Sequence, residues 1–154
     1  MPLKVATVNV NGVRAAFKKG MVEWLKENSD IDVIALQEVR AETKDLVELF
    51  EANPPSKGIW HFSHDAASAK GRAGVAIISK VAPVEVRTKF GPDSFDSAGR
   101  WLEADFKVGS KTFTVISTYV HSGEVDTPKQ IEKYKFLKAM QERMAELIAA
   151  GSLA

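Results

Sequence analysis

Cysteine is absent from this 154-residue sequence, which excludes disulfides and thiolate metal sites. Any metal ion would therefore be held by carboxylates, amides or histidines, and oxygen ligands favour Mg²⁺, Mn²⁺ or Ca²⁺. The three histidines, His61, His64 and His121, form no zinc-type pair on one helix. We therefore expect structural or surface roles for them.

The sequence also lacks an apolar run long enough to cross a membrane, and its N-terminus lacks the features of a signal peptide, so we expect a cytoplasmic protein. Neither sign of charge dominates, because 21 Lys and Arg face 20 Asp and Glu. A nucleic-acid ligand would have to be held by a local basic patch rather than by net charge. The hydrophobic content of 45% is enough for one domain with a buried core.

The first third of the sequence alternates apolar strands with amphipathic helices. Residues 3–10 predict a buried strand, and residues 32–37 predict a central strand. Apolar positions at helical spacing over residues 13–25 predict one amphipathic helix between them. Residues 43–52 predict a second helix with Thr43 as its N-cap.

The rest of the sequence consists of short strands followed by one long helix. Thr127 as N-cap and Pro128 at the first helical position begin that helix. Strands flanked by helices and joined partly by hairpins predict an α/β sandwich with a mixed sheet. Strands are predicted at residues 59–62, 74–79, 84–90, 101–108 and 112–119, the last two joined as a hairpin by the turn at residues 109–111.

Asn9, Asn11 and Glu38 stand at the ends of the first two predicted strands. Sites in open α/β sheets gather at the carboxyl ends of strands, so these polar residues are candidates for a hard-cation site. The alternative is ordinary turn chemistry at Asn11 and Gly12, with Glu38 as a solvated loop acid. Spacing alone favours that alternative.

Five ordered segments carry a more specific signal. Residues 8–15 read Val-Asn-Val-Asn-Gly-Val-Arg-Ala, and residues 34–38 read Ile-Ala-Leu-Gln-Glu. In that order the segments resemble the exonuclease III-type abasic-site endonucleases of the endonuclease/exonuclease/phosphatase superfamily, and the resemblance covers essentially the whole chain. The other three are Trp60-His61 with residues 70–76 (Lys-Gly-Arg-Ala-Gly-Val-Ala), Gly99-Arg100, and residues 118–123 (Thr-Tyr-Val-His-Ser-Gly).

The resemblance implies a fold and an activity. Residues 1–154 would form the N-terminal half of a single domain, half of a four-layered α/β sandwich with a mixed sheet flanked by helices. The parent enzyme would be a monomeric DNA-repair nuclease that depends on Mg²⁺, with Mn²⁺ as a possible substitute. It would hydrolyse phosphodiester bonds in duplex DNA, as a 3′→5′ exonuclease and as an endonuclease at abasic sites in base-excision repair.

The resemblance also implies roles for single residues. Glu38 would be a direct ligand of the catalytic Mg²⁺, Asn9 would orient Glu38 or a metal-bound water, and Asn11 would belong to the same shell. Tyr119 would hydrogen-bond the scissile phosphate, although a core tyrosine at a strand end is the alternative outside this motif. His121 replaces the proline that many relatives carry. This difference would change the rigidity of the loop but not Tyr119 itself.

Five basic residues are candidates for contact with DNA phosphates: Arg14, Lys18, Lys19, Arg72 and Arg100. Such contacts position a duplex without reading its sequence. For any one of these side chains, a solvated surface charge is an equal alternative. We favour Arg14, which stands in the first motif where relatives contact the DNA backbone, and next Arg100.

Two motifs of the resembled family are not found: the Gly-Asp-x-Asn segment that orients the attacking water and the Ser-Asp-His segment that binds the phosphate. The sequence stops at residues 151–154, after a helix that is either terminal or a connector to a further strand. We therefore expect that the C-terminal half of the domain is absent, that this chain alone is nearly inactive, and that it exposes sheet surface that the other half covers.

Two other functions stay open. One is a phosphodiesterase of the same superfamily with another substrate, such as RNA 3′ ends or small phosphate esters; the segment from Asn11 to Ala15 argues against it. The other is a non-catalytic nucleic-acid-binding module that uses the face carrying Arg14, Lys18 and Lys19. Salt-sensitive DNA binding that ignores Mg²⁺ and survives Glu38→Gln would favour the module.

Overall fold

The protein is described by a computed structural model of residues 3–92, 95 and 98–154. Met1 and Pro2, at the start of the segment that lacks signal-peptide features, lie outside these residues. None of the described helices is long and apolar enough to cross a membrane. The elements of the described chain are, in order, β1 (Val5–Asn9), α1 (Val13–Lys18), α2 (Met21–Glu27), β2 (Val33–Gln37), α3 (Thr43–Ala52), β3 (His61–Asp65), β4 (Val75–Ser79), β5 (Glu85–Arg87), β6 (Trp101–Val108), β7 (Lys111–Thr118) and α4 (Pro128–Ala149).

Two sheets form the centre of the molecule. The first has the strand order β1-β2-β4-β3, in which β1 and β2 are parallel and the other neighbours are antiparallel. The second is an antiparallel sheet of order β5-β6-β7. The sheets pack together through β2, β4, β6 and β7. The predicted α/β class with a mixed sheet and flanking helices is confirmed.

Both faces of the two central strands of the first sheet, β2 and β4, are covered, which explains why these strands are unbroken apolar runs. Ile34 and Leu36 of β2 pack against the helices, in one cluster with Leu46 and Phe50 of α3. Val33 faces the other way, in a cluster that contains Val75 and Ile77 of β4 and Leu102 and Phe106 of β6. A strand buried on both faces carries apolar residues throughout instead of alternating them.

The prediction of one continuous helix over residues 13–25 is wrong. Helices α1 and α2 are separated at Gly20, which has φ +117°. Glycine adopts such a conformation without the steric cost that a Cβ imposes, so this residue breaks a run whose apolar spacing is helical throughout. Helix α3 has the predicted bounds, but its N-cap is Glu42, whose backbone N–H donates to Asp45 Oδ2 at 3.3 Å.

The strand predictions need four corrections. Strand β1 is an edge strand that pairs with β2 alone among the described residues, and its Val5 is 46% exposed, so it is not buried. Strand β3 begins at His61 instead of residue 59, and β5 covers only Glu85–Arg87. The β6–β7 hairpin has a two-residue turn, because Val108 pairs directly with Lys111.

The chain does not stop at the long helix. After α4, Leu153 forms a parallel bridge with Phe113 of β7. Its backbone N–H donates to the Thr112 carbonyl at 3.0 Å, and its carbonyl accepts from the Thr114 N–H at 2.9 Å. The residues after α4 thus return along the edge of the second sheet, and the choice between a terminal helix and a connector stays a prediction.

A network of ion pairs attaches α4 to the second sheet. Glu103 of β6 is fully buried, and its carboxylate accepts hydrogen bonds of 2.7–2.8 Å from Arg87, Arg143 and the Trp101 indole. Burial opposes ionisation, but the bonds from Arg143, Arg87 and Trp101 outweigh it and keep the pKa of Glu103 below its usual value. Asp105 accepts two hydrogen bonds of 2.8 Å from Arg87.

His64 connects β3 to the start of α3. Its Nδ1 lies 2.8 Å from the Thr43 hydroxyl, which therefore makes a tertiary contact instead of the predicted helix cap. Burial lowers the pKa of the His64 imidazole. The folded chain then takes up a proton less readily than the unfolded chain, whose histidines titrate near a pKa of about 6.5.

We expect the free energy of unfolding to fall as the pH drops below about 6.5, because the unfolded state binds the proton that His64 resists. This loss ends below the folded-state pKa of His64. Urea unfolding at about pH 8 and about pH 5.5 measures it, with the change between the two pH values as the readout. His64→Asn should show a smaller change than the wild type. An equal change in both proteins would contradict the prediction.

Candidate active site

The parallel pairing of β1 and β2 brings Asn9 and Glu38 together. Asn9 is in register with Gln37, so Glu38 follows directly beside it at the same edge of the sheet. The Asn9 side-chain amide donates to Glu38 Oε1 at 2.9 Å. The structure thus places these two predicted site residues in contact, and the loop after β1 lies against them.

The loop after β1 orients the Asn9 amide. The backbone N–H of Asn11 donates to Asn9 Oδ1 at 3.0 Å, which leaves the amino group of Asn9 directed at Glu38. Asn11 has φ +46°, and the next N–H, of Gly12, donates to the Glu38 carbonyl at 2.7 Å. Asn11 thus contacts this site through its backbone, and its place in a metal shell stays a prediction.

The Glu38 carboxylate is ionised and nearly enclosed. Its side chain is 14% exposed, and Oε2 forms an ion pair with Arg40. The hydrogen bond from Asn9, helped by the one from Arg40 and opposed by burial, lowers the pKa of Glu38. A carboxylate that is charged at neutral pH is the form that binds a cation.

Arg40 is a site residue that the sequence reasoning missed. Glu38 and Arg40 both have left-handed backbones, with φ +51° and +52°. Hydrogen bonds from Val39 N–H to the Gly74 carbonyl (3.0 Å) and from Arg40 N–H to the Ala73 carbonyl (2.9 Å) hold this turn. Non-glycine residues keep such conformations only where neighbours impose them. The only feature of the sequence that could have indicated Arg40 was a basic residue two positions after Glu38.

A buried serine joins the end of β7 to the end of β2. Ser117 donates its hydroxyl to the Leu36 carbonyl at 2.7 Å and accepts from the Gln37 side chain at 3.1 Å. Tyr119 comes two residues later, and its backbone N–H donates to the Arg100 carbonyl at 2.9 Å. Sequence reasoning also missed Gln37 and Ser117, because a serine inside a strand carries no pattern of its own.

Tyr119 and Glu38 line one open cavity of about 650 Å³. Its other charged or titratable lining residues are Arg40, Arg72, Arg100, His121, Lys129 and Glu132. His121, for which a structural or surface role was expected, lies in this wall with its Nδ1 2.9 Å from the Ser122 carbonyl. The cavity thus combines two carboxyl side chains, one phenol, one imidazole and several cations.

Arg100 is half-buried in this wall. Burial lowers the pKa of its guanidinium, whereas nearby Tyr119 and Glu132 raise it. Within the described part of the chain, its buried Nε has no hydrogen-bond partner. A buried N–H without a hydrogen-bond partner is costly.

Two more cavities continue this basic surface. One of about 420 Å³ has the basic lining residues Arg14, Arg40, Lys70 and Arg72 and the acidic ones Glu42 and Asp45. One of about 550 Å³ is lined by Arg14, Lys18 and Arg40, with no acid among its described lining residues. Four of the five predicted phosphate contacts, Arg14, Lys18, Arg72 and Arg100, therefore line adjoining cavities. Lys19 is exposed at the end of α1 and lines none of these three.

The donor set fits a hard divalent cation. Among the described residues, no three acid, histidine or cysteine side chains converge on one point. Glu38 is the carboxylate that the strand ends place in this cavity, whereas Glu132 lines it from α4. Mg²⁺ commonly binds through one or two carboxylates, keeps several waters and takes further ligands from substrate phosphates. One ionised carboxylate beside an oriented amide and an open cavity meets that requirement.

The fold and the site together define an α/β sandwich protein whose charged centre lies outside the carboxyl ends of its strands, where sheets of this class carry their sites. The chain belongs to the Endonuclease/Exonuclease/phosphatase family, whose profile matches residues 6–153. The resemblance drawn from the five sequence segments is therefore confirmed.

Known proteins similar to this chain are nucleases by name. DNA repair nuclease APEX1 of Danio rerio is 32% identical over 77% of this chain and 36% of its own length. Exodeoxyribonuclease III of Haemophilus influenzae is 30% identical over 91% of this chain and 50% of its own length. A solved AP endonuclease from Archaeoglobus fulgidus superposes with a TM-score of 0.71 at 30% identity, covering 90% of this chain and 49% of that one. The chain thus spans half or less of these proteins.

Proposed function

We propose that this chain carries one half of the active site of a Mg²⁺-dependent DNA-repair nuclease. The nuclease hydrolyses phosphodiester bonds in duplex DNA, at abasic sites and from 3′ ends. The observation that carries the proposal is the Asn9–Glu38 pair at the ends of two parallel strands, in one cavity with Tyr119. The family and the names of its similar members support the same chemistry.

Each residue of the centre has a task in this proposal. Glu38 holds the cation, Mg²⁺ or in its place Mn²⁺, and Asn9 keeps the carboxylate oriented through its 2.9 Å hydrogen bond. Asn11 fixes Asn9 in turn through its backbone. Tyr119 donates its phenolic hydrogen to a phosphate oxygen. A bound Mg²⁺ neutralises a phosphate oxygen and stabilises the charge that grows on the leaving oxygen.

The basic cavities supply the proposed contacts with DNA. Arg14, Lys18, Arg72 and Arg100 bind backbone phosphates, which positions the duplex without reading its sequence. Lys19 would contribute only from outside these cavities. A phosphodiester has to sit between the carboxylate and the cationic walls to be cleaved.

The proposed partner is a C-terminal half of the same domain. Within the described chain, the outer edge of β1 is unpaired and Val5 is 46% exposed, so a further strand and a covering layer fit there. That half would supply the groups that activate the attacking water, and we propose that the 154-residue chain alone is nearly inactive. A monomeric, cytoplasmic parent enzyme stays a prediction.

Incision of a labelled duplex with one abasic-site analogue tests the proposal. The 154-residue chain is assayed with Mg²⁺ and with a chelator, alone and mixed with the C-terminal half of a family member. Cleavage that needs both Mg²⁺ and mixing would establish a shared site. Robust cleavage by the chain alone would refute the missing-half proposal, and inertness in every mixture would refute the nuclease.

A non-catalytic nucleic-acid-binding module is the second candidate, favoured by the three adjoining basic cavities. Duplex binding that ignores Mg²⁺ and survives Glu38→Gln, without incision in any mixture, would select it. A third possibility, a phosphodiesterase of the same family with another substrate, predicts Mg²⁺-dependent cleavage of RNA or small phosphate esters but not of the abasic duplex.

Arg14→Gln should weaken duplex binding and reduce its salt dependence. Each phosphate neutralised by a cation contributes about 0.9 to the slope of log K against log salt concentration, so the slope should fall by about that amount. Fluorescence anisotropy of a labelled duplex at several salt concentrations measures it. Lys111→Gln, at the hairpin end of β7 opposite Tyr119, is the matched control and should leave the slope unchanged. Equal slopes for Arg14→Gln and the wild type would contradict a phosphate contact.

A further inference from the structure

Arg40 stands where the carboxylate site meets the basic surface. Its guanidinium pairs with Glu38 Oε2, and its side chain lines all three cavities described above. Among the described residues, no other side chain lines all three. A ligand in any of these cavities would therefore have Arg40 in the wall around it.

Only the side chain of Arg40 is free to move. Its backbone N–H donates to the Ala73 carbonyl at 2.9 Å, and its carbonyl accepts from the Arg14 guanidinium at 3.3 Å. These bonds hold the main chain on both sides. The side chain is 43% exposed, whereas its partner Glu38 is 14% exposed. Because the Arg40 side chain is itself exposed, water can solvate its guanidinium when it leaves Glu38.

A divalent cation and Arg40 compete for the same carboxylate. Two cations at one carboxylate repel each other at short distance, so Arg40 has to move when a divalent cation binds. Glu38 keeps its orientation when Arg40 leaves, because Asn9 binds the other carboxylate oxygen.

We propose that a cation bound at Glu38 releases Arg40, which then binds a DNA phosphate. In the free chain Arg40 neutralises Glu38, and cation binding transfers its guanidinium to a phosphate in the adjoining basic cavities. This inference rests on the proposed function of the site and adds a coupling to it. Metal binding then strengthens DNA binding through one identified side chain. Arg14, Lys70 and Arg72 line the cavity of about 420 Å³ that the released guanidinium enters, together with the acids Glu42 and Asp45. With Arg40 included, its cations outnumber its acids.

The first half of the proposal, competition between the cation and Arg40 for Glu38, is tested by Mn²⁺ binding to the free 154-residue chain. The electron paramagnetic resonance signal of unbound Mn²⁺ measures how much has bound. Arg40→Gln should bind Mn²⁺ about three- to tenfold more tightly than the wild type, because the competing cation is gone. If Arg40 merely supported Glu38, Arg40→Gln would instead bind Mn²⁺ more weakly than the wild type. Arg72→Gln removes the same charge from the same cavity walls without touching Glu38 and should change the affinity less.

The second half of the proposal, transfer of Arg40 to a DNA phosphate, is tested by duplex binding with Mn²⁺ and with chelator. Fluorescence anisotropy of a short labelled duplex measures the affinity. Arg40→Gln should weaken binding about three- to tenfold with Mn²⁺ and much less with chelator, the loss expected for one phosphate contact. Arg72→Gln should cost the same affinity under both conditions. In Glu38→Gln, Arg40 is already released, so adding Arg40→Gln to that variant should weaken binding even with chelator.

Three results would overturn the inference. They are weaker Mn²⁺ binding by Arg40→Gln, an equal cost of Arg40→Gln with and without metal, and no Mn²⁺ binding by either protein at millimolar concentration. None of these measurements involves strand cleavage. Failure of the coupling is therefore distinguishable from failure of the nuclease proposal, which the incision assay decides.

Discussion

Glu38→Gln should lower Mg²⁺-dependent incision by about 10³-fold when the chain is combined with the C-terminal half of a family member. The carboxylate is the charged oxygen donor at this strand end, and a bound cation contributes several kcal/mol to the stability of the transition state. The substitution keeps the shape of the side chain and still lets its oxygen accept the hydrogen bond from Asn9. Initial rates on the abasic-site duplex over a range of Mg²⁺ concentrations measure the effect.

Glu132→Gln is the matched control for this experiment. Glu132 lines the same cavity from α4, but it is not bonded to Asn9 and does not follow a parallel strand. We expect its rate to stay within about tenfold of the wild type. If Glu38→Gln also stayed within that range, Glu38 would not be the metal ligand, and the assignment of this edge as the active site would fail.

Glu103→Ala should destabilise the fold by about 3–5 kcal/mol. Glu103 is fully buried beneath α4, and removing it leaves the Arg143 guanidinium without its main partner and takes one of the carboxylate partners of Arg87. Loss of one member of a buried charge network has that magnitude because the remaining charges stay desolvated. Urea unfolding followed by tryptophan fluorescence at neutral pH measures it, and Trp101 reports locally because its indole donates to Glu103 at 2.8 Å.

Glu85→Ala is the control, because Glu85 pairs with the same Arg87 at 3.0 Å but its side chain is 62% exposed. We expect a loss of no more than about 1 kcal/mol for such an exposed pair. Similar losses in the two variants would mean that burial does not decide the strength of the Glu103 network.

The same network makes the fold sensitive to acid. The pKa values of Glu103 and Asp105 are lowered in the folded chain, so the unfolded chain binds protons first as the pH falls. The stabilisation is complete above the unfolded pKa values of about 4 and is lost as the pH falls through the lowered folded values.

Much of the scaffold was predictable because its signals are local. Strands β2 and β4 are apolar runs, and α4 begins at the predicted Thr127 and Pro128. The contact between Asn9 and Glu38 was also predictable, since two parallel neighbouring strands end at the same edge of a sheet. The motif order led to the family before any geometry was known.

The amino-acid sequence by itself determined the class of fold, the family and the polar residues at the strand ends, because periodicity, caps and ordered motifs are properties of neighbouring residues. Tertiary structure alone decided that β1 is an edge strand and that Glu103 joins cations 16 positions before it and 40 after it. It also decided that Arg40 pairs with Glu38, which requires left-handed backbones imposed by residues 73 and 74. Such arrangements depend on sheet order and on contacts between distant residues, and no local pattern encodes either.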